Sequence, residues 1–330
     1  MTTKILVTGG AGYIGSHMCK YLFGQGYQPV ILDNLSRGHR QAVKWGEFYK
    51  GSIADRSLLD KVFASHDIAA VMHFSAFAYV GESMNEPGKY YSNNVAATVW
   101  LLQAMVANGV YDFIFSSSCA VYGEPNEIPI PENHPKNPVN PYGRSKLMVE
   151  QILEDFSSAY GLRYISLRYF NAAGADPEGE IGEDHRPETH LIPLTLQTAL
   201  GQRKAIEIFG DDYETRDGTC IRDYIHIDDL AQAHLLALER LSSGESGAIY
   251  NLGNAEGYSV NAVIDLARAI TSRSIPAKVV GRRPGDPAVL VGSSEKAIQE
   301  LGWNPRYMDL RDIIATAWNW HRKQPNGYVS

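Results

Sequence analysis

One turn near the start of the chain constrains its fold more than any other feature. The segment Val7-Thr8-Gly9-Gly10-Ala11-Gly12-Tyr13-Ile14-Gly15 follows a short apolar run, Lys4 to Thr8, and opens a stretch with helical spacing at Ile14, Met18 and Leu22. Gly9, Gly12 and Gly15 stand in a GxxGxxG spacing. Glycine at these positions permits a tight turn, brings the backbone close to a pyrophosphate and lets helix pack on strand. The helix that starts there turns unpaired N–H groups and the positive end of its dipole toward phosphate. Asp33 closes the next apolar run, where an acid accepts from the adenosine ribose hydroxyls and repels a 2′-phosphate. The pattern therefore favours NAD over NADP, a preference that the nearby Arg37 weakens slightly.

Beyond the turn, short apolar runs alternate with helical patterns. Tyr27–Leu32, Ala70–Phe74, Phe113–Ser116 and Arg163–Arg168 read as strands, and Val95, Val99 and Leu102 mark one of the helices between them. Such alternation predicts an α/β fold, a Rossmann-type doubly wound parallel sheet covered on both faces. After about Asn171 the texture changes. Gly174 to Pro187 is rich in Gly, Pro, Asp and Glu and reads as a long surface loop of the kind that often carries function. The expected division is residues 1–170 as the NAD-binding domain and 171–330 as a smaller, mixed α/β substrate domain. A strand-turn-helix over 224–241 and a strand at 248–252 return to the first unit.

The 330 residues allow two domains, and the formal net charge of -7 argues against an electrostatic nucleic-acid binder. Cys19, Cys119 and Cys220 lie too far apart for a metal-binding pair, so no metal is expected. Their low, odd number suits a reducing compartment. With neither a leader nor a membrane-length apolar run in view, the expectation is a cytoplasmic protein without membrane contact.

Two further segments carry chemistry. One is Phe115-Ser116-Ser117-Ser118-Cys119-Ala120-Val121-Tyr122-Gly123, and the other is Pro141-Tyr142-Gly143-Arg144-Ser145-Lys146. Tyr142 and Lys146 stand at i and i+4 of a predicted helix and share a face. An ammonium beside a phenol favours the phenolate, so Lys146 is expected to lower the pKa of Tyr142 and make it a usable acid/base. A bound nicotinamidium pushes the same way. Ser118 is placed to hydrogen-bond the reacting hydroxyl or to share its proton with Tyr142.

With these segments in view, the whole chain resembles the extended short-chain dehydrogenase/reductase family, and within it the UDP-sugar 4-epimerases. Further support comes from Asp33-Asn34, Val80-Gly81-Glu82-Ser83, Asn93-Asn94-Val95, Arg168-Tyr169-Phe170-Asn171, Ile221-Arg222-Asp223-Tyr224-Ile225-His226 and Arg282–Asp286. The resemblance implies a reaction with no net redox change. Tyr142 takes the proton of the sugar 4-hydroxyl while NAD takes the C4 hydride, the 4-keto sugar turns over, and both are returned. It implies cofactor contacts from Gly9, Gly12, Tyr13, Ile14, Gly15, Asp33, Asn34, Ser52, Ile53, Phe74, Asn93, Ser116, Tyr142, Lys146 and Tyr169. The UDP-sugar side falls to Ser118, Tyr142, Asn171, His190, Leu191, Phe209, Arg222, Arg283, Asp286 and Leu290. A homodimer is also implied.

The chain departs from that pattern at four positions. Ser52 replaces an aspartate at the adenine, Ala78 a lysine near the cofactor, and His190 an asparagine at the substrate; His190 is read either as a replacement donor or as a bystander. Leu290 replaces a tyrosine found in some members, which widens the sugar pocket toward N-acetylhexosamines. Cys119-Ala120 stand where a 4,6-dehydratase needs an acidic pair, which sets that reaction aside. A UDP-pentose or UDP-uronate 4-epimerase stays open as an alternative. The less favoured rival is a non-catalytic NAD-binding protein.

Overall fold

A computed structural model describes residues 2–283 and 286–329. Pro284 and Gly285, inside the Arg282–Asp286 segment, lie outside the described residues. The first half runs β1 (Lys4–Thr8), α1 (Tyr13–Gly24), β2 (Gln28–Asp33), β3 (Glu47–Lys50), α2 (Arg56–Ser65) and β4 (Ile68–His73). A helical stretch follows, built from α3 (Val80–Asn85), α4 (Pro87–Tyr90), a π-helical turn (Tyr91–Ala96) and α5 (Ala97–Ala107). Then come β5 (Asp112–Ser118), α6 (Pro141–Tyr160) and β6 (Arg163–Tyr169). The second half contains β7 (Asn171–Ala173), α7 (Leu191–Ala199), β8 (Ile206–Phe209), β9 (Ile221–Arg222), β10 (Tyr224–His226), α8 (Ile227–Ser242) and β11 (Ala248–Leu252). It ends with β12 (Tyr258–Ser259), α9 (Val260–Thr271), β13 (Ala277–Val280), β14 (Val289–Leu290), α10 (Glu295–Leu301) and α11 (Leu310–Lys323).

Seven parallel strands form the main sheet in the order β11-β6-β5-β4-β1-β2-β3. Alternate side chains of a strand point to opposite faces. Thus Ile5 and Val7 of β1 enter the core under α1 and α8, with Met18, Leu22, Leu230 and Tyr250. Leu6 enters the core under α2, α5 and α6, with Leu59, Leu101, Val149 and Leu153. Burial on both faces explains why these strands read as continuous apolar runs. The strand order reverses between β1 and β4, and ligands of such sheets bind at that switch point, beyond the carboxyl ends of the strands.

The remaining elements build a third core around Leu196, Ile208, Ile264 and Ile313. They hold three small sheets: β10 with β7, β12-β9-β14, and β13 with β8. Among the described residues no helix is long and apolar enough to cross a membrane.

The segment from Gly174 to Pro187 is not the surface loop that its composition predicts. Ala175, Asp176, Ile181 and Glu183 are buried, and Ala175 and Ile181 pack with Trp320 and Tyr328. A Cβ on Gly182 would lie 2.3 Å from the Trp320 ring. The charges that suggested solvent exposure are instead paired, as where Asp176 accepts from Lys20 Nζ at 2.7 Å.

Candidate active site

The turn after β1 is shaped by crowding. Gly9 has φ +75°, and a Cβ there would lie 2.7 Å from the Phe74 carbonyl carbon. A Cβ on Gly15 would lie 2.2 Å from the Gly9 carbonyl oxygen. Gly12 caps α1 without a side-chain hydrogen bond, and the first turn carries no acid. The leading N–H groups of α1 therefore face the crevice in a cradle that suits an anionic pyrophosphate. Asp33 closes the cradle: its carboxylate accepts from Ala11 N at 3.0 Å and Leu35 N at 2.7 Å. Burial pushes its pKa up, against those two hydrogen bonds. Arg37 is already engaged, donating to Glu82 at 2.8 Å and stacking on Tyr79.

The other predicted cofactor residues gather around this cradle. Tyr13 donates to the Gly174 carbonyl at 2.7 Å, which ties α1 to the second half of the chain. Ile14 packs in the core beside it. The Asn34 and Ser52 side chains accept from Ser36 N and Ala54 N, so both shape their own turns. Ile53 is buried, and Phe74 N continues the sheet to Thr8 O. Asn93 donates to Asn94, which bonds both Phe77 and Ser145 and so fixes the loop after β4 to α6.

The acid/base group forms where α6 meets the ends of β5 and β6. Asn140 caps α6 by accepting from Gly143 N at 2.8 Å, with Pro141 in the first turn. This start sets Tyr142 and Lys146 on the face toward β5. Lys146 is 3% exposed and donates to the Ser116 carbonyl at 2.6 Å. Its Nζ lies 5.9 Å from the Tyr142 ring centroid. Ser116 Oγ and Tyr169 Oη are joined by a hydrogen bond, so the ends of β5 and β6 are locked together.

The electrostatics correct one expectation. Tyr142 is not lowered in the protein alone: burial pushes it up to about 12, with the Ser118 hydroxyl opposing. Burial also lowers Lys146 to about 7, against the pull of Glu150. Both charged forms lose hydration in the same dry crevice, and a lysine that is half discharged near neutrality has little field to offer.

Sequence reasoning did not single out Glu150. It follows Lys146 by one helical step of four, so the spacing that linked Tyr142 to Lys146 also points to it. It is buried, and it accepts from Arg168 Nη2 at 2.6 Å, Arg168 Nε at 2.8 Å and Ser117 Oγ at 2.6 Å. This pair clamps α6 to β5 and β6 directly behind the acid/base group.

Most of the predicted substrate residues lie in or beside the small elements of the second half of the chain. Asn171 donates to the Asp223 carbonyl at 2.8 Å. Arg222 and Asp286, both expected on the UDP-sugar side, are bonded to each other, and Arg222 also donates to Pro287 O. Opposite charges a side chain apart pair when no ligand separates them. The Arg283 guanidinium lies 3.8 Å from the Phe209 ring centroid. Leu290 stands beside Arg222 in register and packs with Val121, Tyr122, Ile130 and Phe170. Leu191 begins α7, and His190 precedes it. The Nδ1 of His190 is turned to Glu188 at 2.8 Å and Glu183 at 2.9 Å.

Comparison with known proteins gives this crevice a context. Residues 5–253 match the NAD dependent epimerase/dehydratase family. The chain is 55% identical to a curated UDP-glucose 4-epimerase of Halalkalibacterium halodurans, over 98% of this chain and 97% of the relative. Its fold superimposes with a TM-score of 0.94 on UDP-glucose 4-epimerase from Brucella ovis in complex with NAD, at 50% identity, covering 96% of this chain and 98% of that one. The enzyme from Bifidobacterium longum in complex with NAD+ and UDP also gives a TM-score of 0.94, at 39% identity, covering 99% and 100%.

Proposed function

The chain belongs to the NAD dependent epimerase/dehydratase family, and from that premise we propose that it interconverts UDP-glucose and UDP-galactose by inverting C4 of the hexose. The observation that carries this reading is the meeting of Ser118, Tyr142 and Lys146 beside the glycine cradle. NAD fits that cradle, and when bound it accepts the C4 hydride, gives it back, and in its oxidised form adds a positive charge near Tyr142. Tyr142 removes the proton of the 4-hydroxyl and later restores it. Ser118 hydrogen-bonds the reacting oxygen. Lys146, anchored on the Ser116 carbonyl, reaches the nicotinamide ribose, as do Asn93 and Tyr169 from the neighbouring walls.

On this reading residues 1–170, with 224–252, hold the cofactor and the rest of the chain grips UDP. Arg222 and Arg283 take the diphosphate, Asp286 the ribose and Phe209 the uracil. Arg222 leaves Asp286 for a phosphate at little cost, because one charge-assisted hydrogen bond replaces another. A firm hold on UDP leaves the 4-keto hexose free to present its second face. Incubating the protein with NAD and UDP-glucose should yield UDP-galactose with no net NADH; steady NADH release would point to an oxidation instead. A cytoplasmic location is part of the same proposal, supported by three free cysteines, and so is a homodimer, which sedimentation would check.

Leu290 sets the sugar range. A leucine beside Arg222 leaves room that a tyrosine would fill, so N-acetylhexosamines are proposed as second substrates. Leu290→Tyr should keep UDP-galactose turnover and lose at least about tenfold, roughly 1.4 kcal/mol, for UDP-N-acetylgalactosamine. Equal loss on both sugars would remove Leu290 from this role.

A further inference from the structure

The segment between β7 and α7 buries a group of which the epimerase reading uses only His190. Glu183 and Glu188 have side chains 5% exposed, and His185 and His190 turn their Nδ1 atoms toward both carboxylates. Glu183 Oε1 lies 3.1 Å from His185 Nδ1 and 2.9 Å from His190 Nδ1. Glu188 Oε1 lies 2.8 Å from His190 Nδ1, and its Oε2 lies 3.6 Å from His185 Nδ1. One donor atom from each residue falls within 4.8 Å of all the others.

Hydrogen bonding explains only part of this arrangement. His190 Nδ1 carries at most one proton yet faces two carboxylates at nearly equal distance. His185 Nδ1 is fully buried and makes no aligned hydrogen bond, although an oxygen lies 3.1 Å away. Four N and O ligands around Zn2+, each about 2.0–2.2 Å from the ion, stand roughly 3.3–3.6 Å apart, inside the 4.8 Å limit that the four donor atoms here meet.

We propose that Glu183, His185, Glu188 and His190 form a binding site for one zinc-class divalent cation. Two imidazoles and two carboxylates within reach of one ion suit Zn2+, and the two carboxylate charges balance the ion. The surrounding shell is in place. Glu188 Oε1 also accepts from Thr189 N at 2.7 Å and His190 N at 2.8 Å, which fixes its orientation. The rings of Tyr13 and Tyr79 stand edge-on to His185, with centroids 6.2 and 6.0 Å away. Such outer partners hold ligands in place. A second acidic group, Asp176, Glu178 and Glu180, is of a different kind, since Lys20 already neutralises it at 2.7 to 3.2 Å. The ion would cross-link residues 183–190 within the segment that leads into Leu191 and the start of α7.

The test uses the full-length protein, stripped with a chelator and titrated with ZnCl2 while free metal is followed. The expected result is one Zn2+ per chain, and a Co2+-loaded form with the visible absorption of a tetrahedral site. His185→Gln and Glu188→Gln should each weaken Zn2+ binding at least about tenfold, with circular dichroism confirming that the variants stay folded. If either variant misfolds, the wild-type Co2+ spectrum alone decides. No stoichiometric binding to the wild type, unchanged affinity in the folded variants, or an octahedral Co2+ spectrum would overturn the proposal.

Discussion

At the scale of the residue, Tyr142 gains its role from a crevice that opposes its charged form. Its phenol stands at about 12, above the ordinary value near ~10. Lys146, lowered to about 7, does not reverse this. On the proposed reading, the positive charge that favours the Tyr142 phenolate would come from oxidised NAD, which would tie proton removal to a loaded, oxidised site. In cofactor-free protein, the ultraviolet phenolate signal of wild type minus Tyr142→Phe should titrate near about 12. Adding NAD+ should move that midpoint down, because a nearby positive charge favours the phenolate. A midpoint below 10 without cofactor would contradict this account. The sign for stability follows. The unfolded phenol ionises near ~10 and the folded one later, so this group alone makes the fold less stable as pH climbs from ~10 to about 12.

At the scale of the element, the glycine turn separates space from conformation. Gly15 lies inside α1, where any residue has an allowed backbone, yet its Cβ would meet the Gly9 carbonyl at 2.2 Å. Gly15→Ala should cost about 1–3 kcal/mol of stability and reduce the NAD released on denaturation. Gly12→Ala meets the same oxygen at 3.3 Å and should change the melting temperature far less. Equal melting temperatures for the two variants would refute the steric assignment. The turn, the main strands and the Tyr142–Lys146 face were legible in the sequence because each is local: a period, a cap, a spacing. The strand Glu47–Lys50 was not, since it lies at the sheet edge and lacks a fully buried side chain. The burial of Gly174–Pro187 was hidden because its partners, Trp320, Tyr328 and Lys20, lie far along the chain. The Glu150–Arg168 clamp and the Arg222–Asp286 pair were hidden for the same reason.

At the scale of the whole molecule, the proposed function divides the labour: the parallel sheet would present the cofactor and acid/base, and the smaller sheets the UDP grip. Arg222 tests that division. Arg222→Met removes a charge-assisted contact of about 1.5–3 kcal/mol, so KM for UDP-galactose should rise roughly 10- to 100-fold, with kcat and bound NAD far less affected. A fall in kcat at unchanged KM would place Arg222 in the chemistry. The central claim is that Tyr142 moves one proton out and back in a closed redox cycle. Its most direct test is Tyr142→Phe, loaded with NAD and assayed on UDP-galactose. NAD released on denaturation should match the parent, while turnover falls at least about 10²-fold. Turnover at the parent rate would contradict the account.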